Sequence, residues 1–442
     1  MNKEQKVYDL VIIGGGVSGT SLLYTLSKYS NLKDICLIEK YDNVGLVNSA
    51  ANQNSQTLHF GDIETNYTYE KADSVKKFAD MVKNYLHAEK SEGKLYSKYS
   101  KMVLAVGKDQ CAKLRTRYES FKNLFPNLRL IERDEIGKIE PRVLQGRDPN
   151  QEIVALQTED GYTVDFGALS VSFLENAQKI NKEAEIKLNT KVIDIVKQDD
   201  FYKVITNKGE VLAKVVSVAA GGHSLMFAKR LGLGTHYSIL SMAGSFFIGP
   251  EVLNGKVYTM QKSKLPFAAI HGDPDVSVKG ETRFGPTAKA IFFLERRDKK
   301  SFWEYWKTFG LGIKPVMSIL NILSDTVILK YLLKNFLYDI PKLGKYFFLK
   351  EIKKIVPEIK YNEITYAKGY GGTRPQTINN ETKKLELGES KLIGDNIIFN
   401  ITPSPGASTC LGNSLLDSKK IMEYFDNKFQ FDEQKFNEDL AD

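Results

Sequence analysis

Residues 7–13 form a short β-branched run that stops at Gly14, and residues 21–29 then carry apolar side chains at helical spacing. This order predicts a strand, a tight turn and a helix. Residues 35–38 read as a second buried strand. Strands covered on both faces look continuously apolar, so these elements match the opening βαβ unit of a doubly wound sheet.

Beyond it the pattern predicts helices over 70–86 and 109–125 with a strand over 101–106 between them, a block that fits no nucleotide-binding unit. A helix over 166–179 and strands over 191–196, 202–206 and 215–219 resume the alternation. Strand-like runs at 237–248, 257–261, 268–271 and 288–294 suggest an inserted antiparallel sheet that roofs a cofactor. Residues 302–355 are mostly helical, and a strand at 397–401 leads through a Gly/Ser/Thr turn into the last helix. The expected fold is α/β: a discontinuous Rossmann-like domain (1–75, 150–235 and 365–442) with an inserted α+β substrate domain (76–149 and 236–364) containing an antiparallel sheet.

The length of 442 residues supports two interlocked domains, and 42% apolar with 26% charged residues is an ordinary globular composition. The net charge of +8 suits a nucleic acid, an anionic membrane or an acidic substrate, and chooses none of them alone. Cys36, Cys111 and Cys410 are too far apart for a paired metal-ligand spacing or a redox dithiol, so no metal site is expected and a reducing cytoplasm fits. The N-terminal residues lack a secretory pattern, and no apolar stretch reaches the roughly 18 to 20 residues of a spanning helix. Membrane contact is therefore expected to be peripheral.

Gly14, Gly16 and Gly19 complete G-x-G-x-x-G between strand and helix, with Ser18 inside the turn. Gly14 permits the turn, Gly16 leaves room for a pyrophosphate at the helix N-terminus, and Gly19 lets helix and strand pack closely. Glu39 ends the second strand, beside Lys40, where a carboxylate accepts from both ribose hydroxyls and repels a 2′-phosphate. That leaves NAD or the ADP half of FAD. Pro405, Gly406, Ala407, Ser408 and Thr409 open the last helix, whose amides would stabilise negative charge on a reduced flavin, and this tips the reading to FAD. Val192 and Gly221, at the borders of later strands, are counted with the cofactor-binding positions.

The fingerprint, the loop Asn54-Ser55-Gln56-Thr57-Leu58-His59-Phe60-Gly61 and the closing Ser404-Pro-Gly-Ala-Ser-Thr409 resemble the amino-acid and hydroxy-acid oxidase superfamily of flavoproteins. More narrowly, the stretches from Lys264 to Asp275 and from Glu281 to Ala288 resemble the malate:quinone oxidoreductase family, over nearly the whole chain and most weakly at 298–358. The resemblance implies non-covalent FAD, with Gln56 and Thr57 at the cofactor, malate oxidised to oxaloacetate, a quinone acceptor and peripheral attachment to the inner face of the cytoplasmic membrane. No nucleic-acid partner is expected.

Oxidising a secondary alcohol needs a base and, for a dicarboxylate, fixed cations. His59 follows the loop that approaches the flavin in the superfamily, and His271 ends a strand of the expected roof; His271 is placed ahead as base. Arg283 and Arg374 sit in turns bounded by small residues or proline, where a guanidinium can pair bidentately with carboxylate. Residues 301–356 carry apolar faces punctuated by Lys307, Lys314, Lys330 and Lys334, which suits an anionic membrane surface or packing on another subunit. Oxidation of lactate, 2-hydroxyglutarate or an amino acid is the rival activity, and a non-catalytic dinucleotide-binding protein is the rival class.

Overall fold

A computed structural model describes residues 6–261, 269–276, 278–338, 340, 342–386 and 388–441. The buried strand Val7–Ile13 lies between Ile35–Ile38 and Gly209–Val218, parallel to both. The sheet continues on one side to Glu185–Lys187 and on the other to Ile397–Ile401 and the antiparallel edge Ser390–Gly394. A hairpin of Val192–Lys197 and Tyr202–Thr206 pairs along the first half of Gly209–Val218.

The apolar character of Val7–Ile13 follows from two cores. Leu10 and Ile12 pack with helices Val17–Tyr29, Phe166–Ile180 and Cys410–Tyr424, while Val11 and Ile13 face the hairpin and helix Gly222–Arg230. Full burial of each such side chain contributes roughly 1.5–3 kcal/mol, so a charge at Ile12 would break the sheet's centre.

Two further sheets form the substrate side. The larger runs Thr365–Tyr366, Phe247–Pro250, Glu281–Gly285, His271–Pro274, Lys256–Thr259, Tyr96–Val106, Ile153–Val164 and Arg129–Glu132. Its neighbours are antiparallel except Lys256–Thr259 with Tyr96–Val106. The smaller is antiparallel: Lys289–Ile291, Tyr237–Ala243, Thr373–Asn379 and Lys384–Leu385.

Several elements differ from the expected ones. The run 237–248 is two strands in different sheets, because a Cβ on Gly244 would lie 2.7 Å from the Pro286 ring and the chain bends there to change sheets. The strand Ile153–Val164 falls in a segment ascribed to the nucleotide domain, yet it pairs with Tyr96–Val106. Likewise Thr373–Asn379 pairs with Tyr237–Ala243. Cys410–Tyr424 is followed by another helix, Glu433–Leu440, whose Phe436 is buried against Tyr29. Residues 264–268 of the Lys264 stretch lie outside the described residues. The 301–356 region folds into helices Ser301–Phe309, Ile313–Ser324, Thr326–Leu337 and Leu343–Ile352.

Candidate active site

A cavity of about 490 Å³ opens at the end of Val7–Ile13, lined by Gly14, Gly16 and Ser18 on one side and by Pro405, Gly406, Ala407 and Ser408 on the other. Gly14 takes φ +110°, and a Cβ there would sit 2.4 Å from the Ala219 carbonyl oxygen. Gly16 caps helix Val17–Tyr29 with open space toward the cavity, its nearest neighbour being Ser49 Oγ at 3.3 Å from an added Cβ. Gly19 does not line the cavity; an added Cβ would lie 1.9 Å from the Gly14 carbonyl, so it serves close helix–strand packing.

Glu39 stands in the cavity wall, its carboxylate accepting from the amides of Gly15 at 2.6 Å and Tyr41 at 3.0 Å. A carboxylate has about four acceptor positions, so two remain for a diol. Lys40 also lines the cavity, but its ammonium pairs with Glu295. Val192, Thr57 and Gly221 are further parts of the wall. The glycine cradle, the acid and two converging helix N-termini fit an FAD molecule.

Two expected cofactor positions fall elsewhere. Gln56 is fully buried and donates to Ala51 O and Asp275 Oδ1 while accepting from the Val276 amide, so it stitches the loop to the roof. Thr409 is turned to Glu389 and caps Cys410–Tyr424 from outside the cavity. Ser55 and Thr57 face the cavity while Gln56 alternates away, and Ser408 faces it while Thr409 turns aside.

A second cavity of about 20 Å³ adjoins the first and shares Ser55, His59, Arg374 and Ser404 with it. His271, Glu64 and Tyr258 are also in its wall. The amide of His59 donates to Ser408 Oγ at 2.9 Å, tying this loop to the closing turn. His59 Nδ1 lies 2.5 Å from Glu64 Oε1, and Nε2 lies 3.4 Å from Ser55 Oγ. Burial opposes ionisation of Glu64, but the hydrogen bond and charge of His59, with Lys101, hold its carboxyl at about 2. An ionised carboxylate only accepts, so Nδ1 carries a proton toward Glu64, and Nε2 is the nitrogen turned toward Ser55 and the cavities.

His271 is differently placed. It is 1% exposed, its Nδ1 donates to Ala269 O at 3.2 Å, and its ring lies 4.5 Å from that of Tyr258, tilted by 30°. Burial pushes its imidazole down to about 3, against the opposing charge of Asp273. Burial thus disfavours the imidazolium that a base would have to form.

The arginines also separate. Arg374, on strand Thr373–Asn379, lines both cavities and forms no ion pair with an acid among the described residues. Arg283 lines neither: it is fully buried, paired with Asp273 and donating to the carbonyls of Asn54 and Ser55. Its guanidinium fixes the loop that leads to His59. Sequence reasoning also passed over Glu64, Lys256 and Asp273. Glu64 follows His59 by five residues in a loop, where no periodicity marks a partner, and the pair Lys256–Asp273 meets only through strand pairing.

The malate:quinone oxidoreductase (Mqo) family model matches residues 6–438. A probable malate:quinone oxidoreductase of Campylobacter jejuni is 43% identical, covering 99% of each chain. The malate:quinone oxidoreductase of Helicobacter pylori strain ATCC 700392 / 26695 is 40% identical, covering 98% of each. Among solved structures, an FAD-bound L-alpha-glycerophosphate oxidase from Mycoplasma pneumoniae superposes with a TM-score of 0.68 at 19% identity, covering 97% of each chain. A dinucleotide cradle joined to a small pocket, and likeness along the full length, agree: the chain belongs to the malate:quinone oxidoreductase family, FAD-dependent enzymes that oxidise the CH–OH group of malate and pass the electrons to a quinone.

Proposed function

We propose that in this chain His59 is the base and Arg374 the carboxylate anchor of malate oxidation. The observation that carries the reading is that both residues line both cavities. The small cavity alone has room for about one water-sized group, so malate sits at the junction formed by Ser55, His59, Arg374 and Ser404. FAD, when bound, would supply the two-electron oxidant for the alcohol. Arg374 pairs with a carboxylate and orients the alcohol, and His59 Nε2 takes the hydroxyl proton as the carbonyl forms. Glu39 and the Gly14–Gly16 turn hold the nucleotide end, and residues 405–408 the other.

The lipid-facing surface in this reading is the bent pair Ile313–Ser324 and Thr326–Leu337. Among the described residues no single helix is long and apolar enough to cross a membrane, and these two meet at 91°. Ile322, Ile328 and Leu332 pack on the small sheet, while Ile313, Leu320, Leu333 and Phe336 are exposed beside Lys314, Lys330 and Lys334. An apolar face with basic flanks suits the anionic inner leaflet of the cytoplasmic membrane, where a lipid-soluble quinone is met.

Anaerobic addition of malate, lactate or 2-hydroxyglutarate to the yellow holoenzyme tests the substrate. Malate should bleach the flavin far faster than the others. Faster bleaching by a monocarboxylate would overturn the assignment.

A further inference from the structure

We infer that Glu64 is a positioning residue for His59, its carboxylate holding the imidazole in the tautomer protonated at Nδ1, with Nε2 toward Ser55 at the junction of the two cavities. This rests on the reading of His59 as base. Three observations carry it.

The first is contact. Nδ1 and Oε1 are 2.5 Å apart, and both residues line the small cavity. The second is that no side chain other than His59 hydrogen-bonds the Glu64 carboxylate among the described residues. Its Oε1 serves His59 and its buried Oε2 has no hydrogen-bond partner among the described residues. A scaffold carboxylate in the same protein looks different: Glu140 accepts backbone amides on both oxygens, from Asn254 at 3.0 Å and Gly255 at 2.7 Å. Leaving one buried carboxylate oxygen unsatisfied is costly. It is explained if the carboxylate serves the imidazole.

The third is that the loop around Glu64 is fixed from behind. Lys101, 1% exposed on Tyr96–Val106, pairs with Asp62 at 2.8 Å, and Arg117 donates to the carbonyls of Gly61 and Tyr67. With both flanks anchored, Glu64 cannot swing to follow a misplaced ring, so the ring must adapt to it. When Nε2 takes the hydroxyl proton, the imidazolium forms beside an anion already in place, as in other carboxylate–histidine pairs.

The test uses holoenzyme with ¹⁵N-labelled histidine, the His59→Asn variant assigning the ring. In the native protein without malate, His59 should show one tautomer, protonated at Nδ1. In Glu64→Gln, two tautomers should exchange, kcat with malate should fall by on the order of 10²-fold with KM little changed, and flavin should be retained. Added to His59→Asn, Glu64→Gln should cause no further loss, because a residue acting only through His59 has nothing left to act on. If Glu64→Gln does not accumulate in folded form, Glu64→Asp is read in the same way: it keeps the charge but shortens the reach, and should lose turnover with FAD bound. Native turnover with an unchanged single tautomer in the Glu64 variant, beside a slow His59→Asn, would overturn the positioning role and leave the base reading standing. A fast His59→Asn would instead remove the base reading itself.

Discussion

Arg283 lies 3.0 Å from Asp273, both side chains wholly out of solvent, and the same guanidinium bonds the carbonyls of Asn54 and Ser55. The same carboxylate also takes Lys256 at 2.9 Å. Arg283 therefore belongs to the foundation of the His59 loop, and in the proposed reading Arg374 is the arginine that meets substrate. Removing one partner of a buried pair costs roughly 3–5 kcal/mol. Arg283→Ala should show a markedly lowered melting temperature and poor flavin retention. Arg374→Ala should melt close to the native protein yet lose roughly 10²-fold in kcat/KM for malate, the worth of a charge-assisted pair of about 3 kcal/mol. Melting curves and steady-state kinetics on both variants decide it; equal kinetic losses at unchanged stability would return Arg283 to the substrate site.

The burial of His271 gives the protein a pH dependence of fixed sign. Its folded value is about 3, below the ordinary 6.5, so the unfolded chain binds this proton first as pH falls. The stabilisation is complete above about pH 6.5 and is lost on acidification towards pH 3, by at most about 1.4 kcal/mol per pH unit. Asp273 and Glu64, each held at about 2, add losses of the same sign in a lower window. Between pH 6.5 and 4.5 the melting temperature of His271→Asn should therefore fall less steeply than that of the native protein. Parallel slopes would show that another group dominates, His87 being the first alternative because burial lowers it too.

The nucleotide site was the most legible part of the chain because its chemistry is local. Gly14, Gly16, Gly19 and Glu39 act through backbone geometry and spacing that are visible within one βαβ unit. The substrate site was legible only as a set of candidates. His59, His271, Arg283 and Arg374 could be chosen from the sequence and its family resemblance, but their roles depend on burial and on partners far away in sequence. His271 and Asp273 sit side by side in a strand, yet the buried cations Lys256 and Arg283 reach them through neighbouring strands. The sheet switch near Gly244 was hidden for the same reason, since an unbroken apolar run gives no sign of which sheet each half will join.

Gly16 and Gly14 should fail differently when substituted. Gly16 has an extended backbone, φ −73° and ψ 177°, that any residue adopts, and a side chain there enters cavity space. Gly14 needs a positive φ and contacts the Ala219 carbonyl. Gly16→Val should fold and purify colourless, with little change in far-ultraviolet circular dichroism, because the branched side chain occupies the pyrophosphate position. Gly14→Ala should reduce stability whether or not FAD is present. A yellow Gly16→Val protein with native flavin content would refute the placement of the phosphates.

The exposed helix pair makes a claim about location that solution experiments can judge. Leu320 and Phe336 are 55% and 67% exposed on the face that does not pack on the small sheet, so charging them should change folding stability by no more than about 0.5 kcal/mol. The native protein should sediment with vesicles containing anionic lipid, less so as salt is raised and weakly with zwitterionic vesicles. Leu320→Glu combined with Phe336→Glu should stay in the supernatant. The double variant should still reduce a short-chain, water-soluble quinone at the native rate but lose activity with a long-chain quinone held in vesicles, because only the second acceptor requires docking. If the variant instead binds vesicles normally and differs from the native protein in its sedimentation coefficient, this face joins two copies of the chain, and the lipid contact must lie elsewhere.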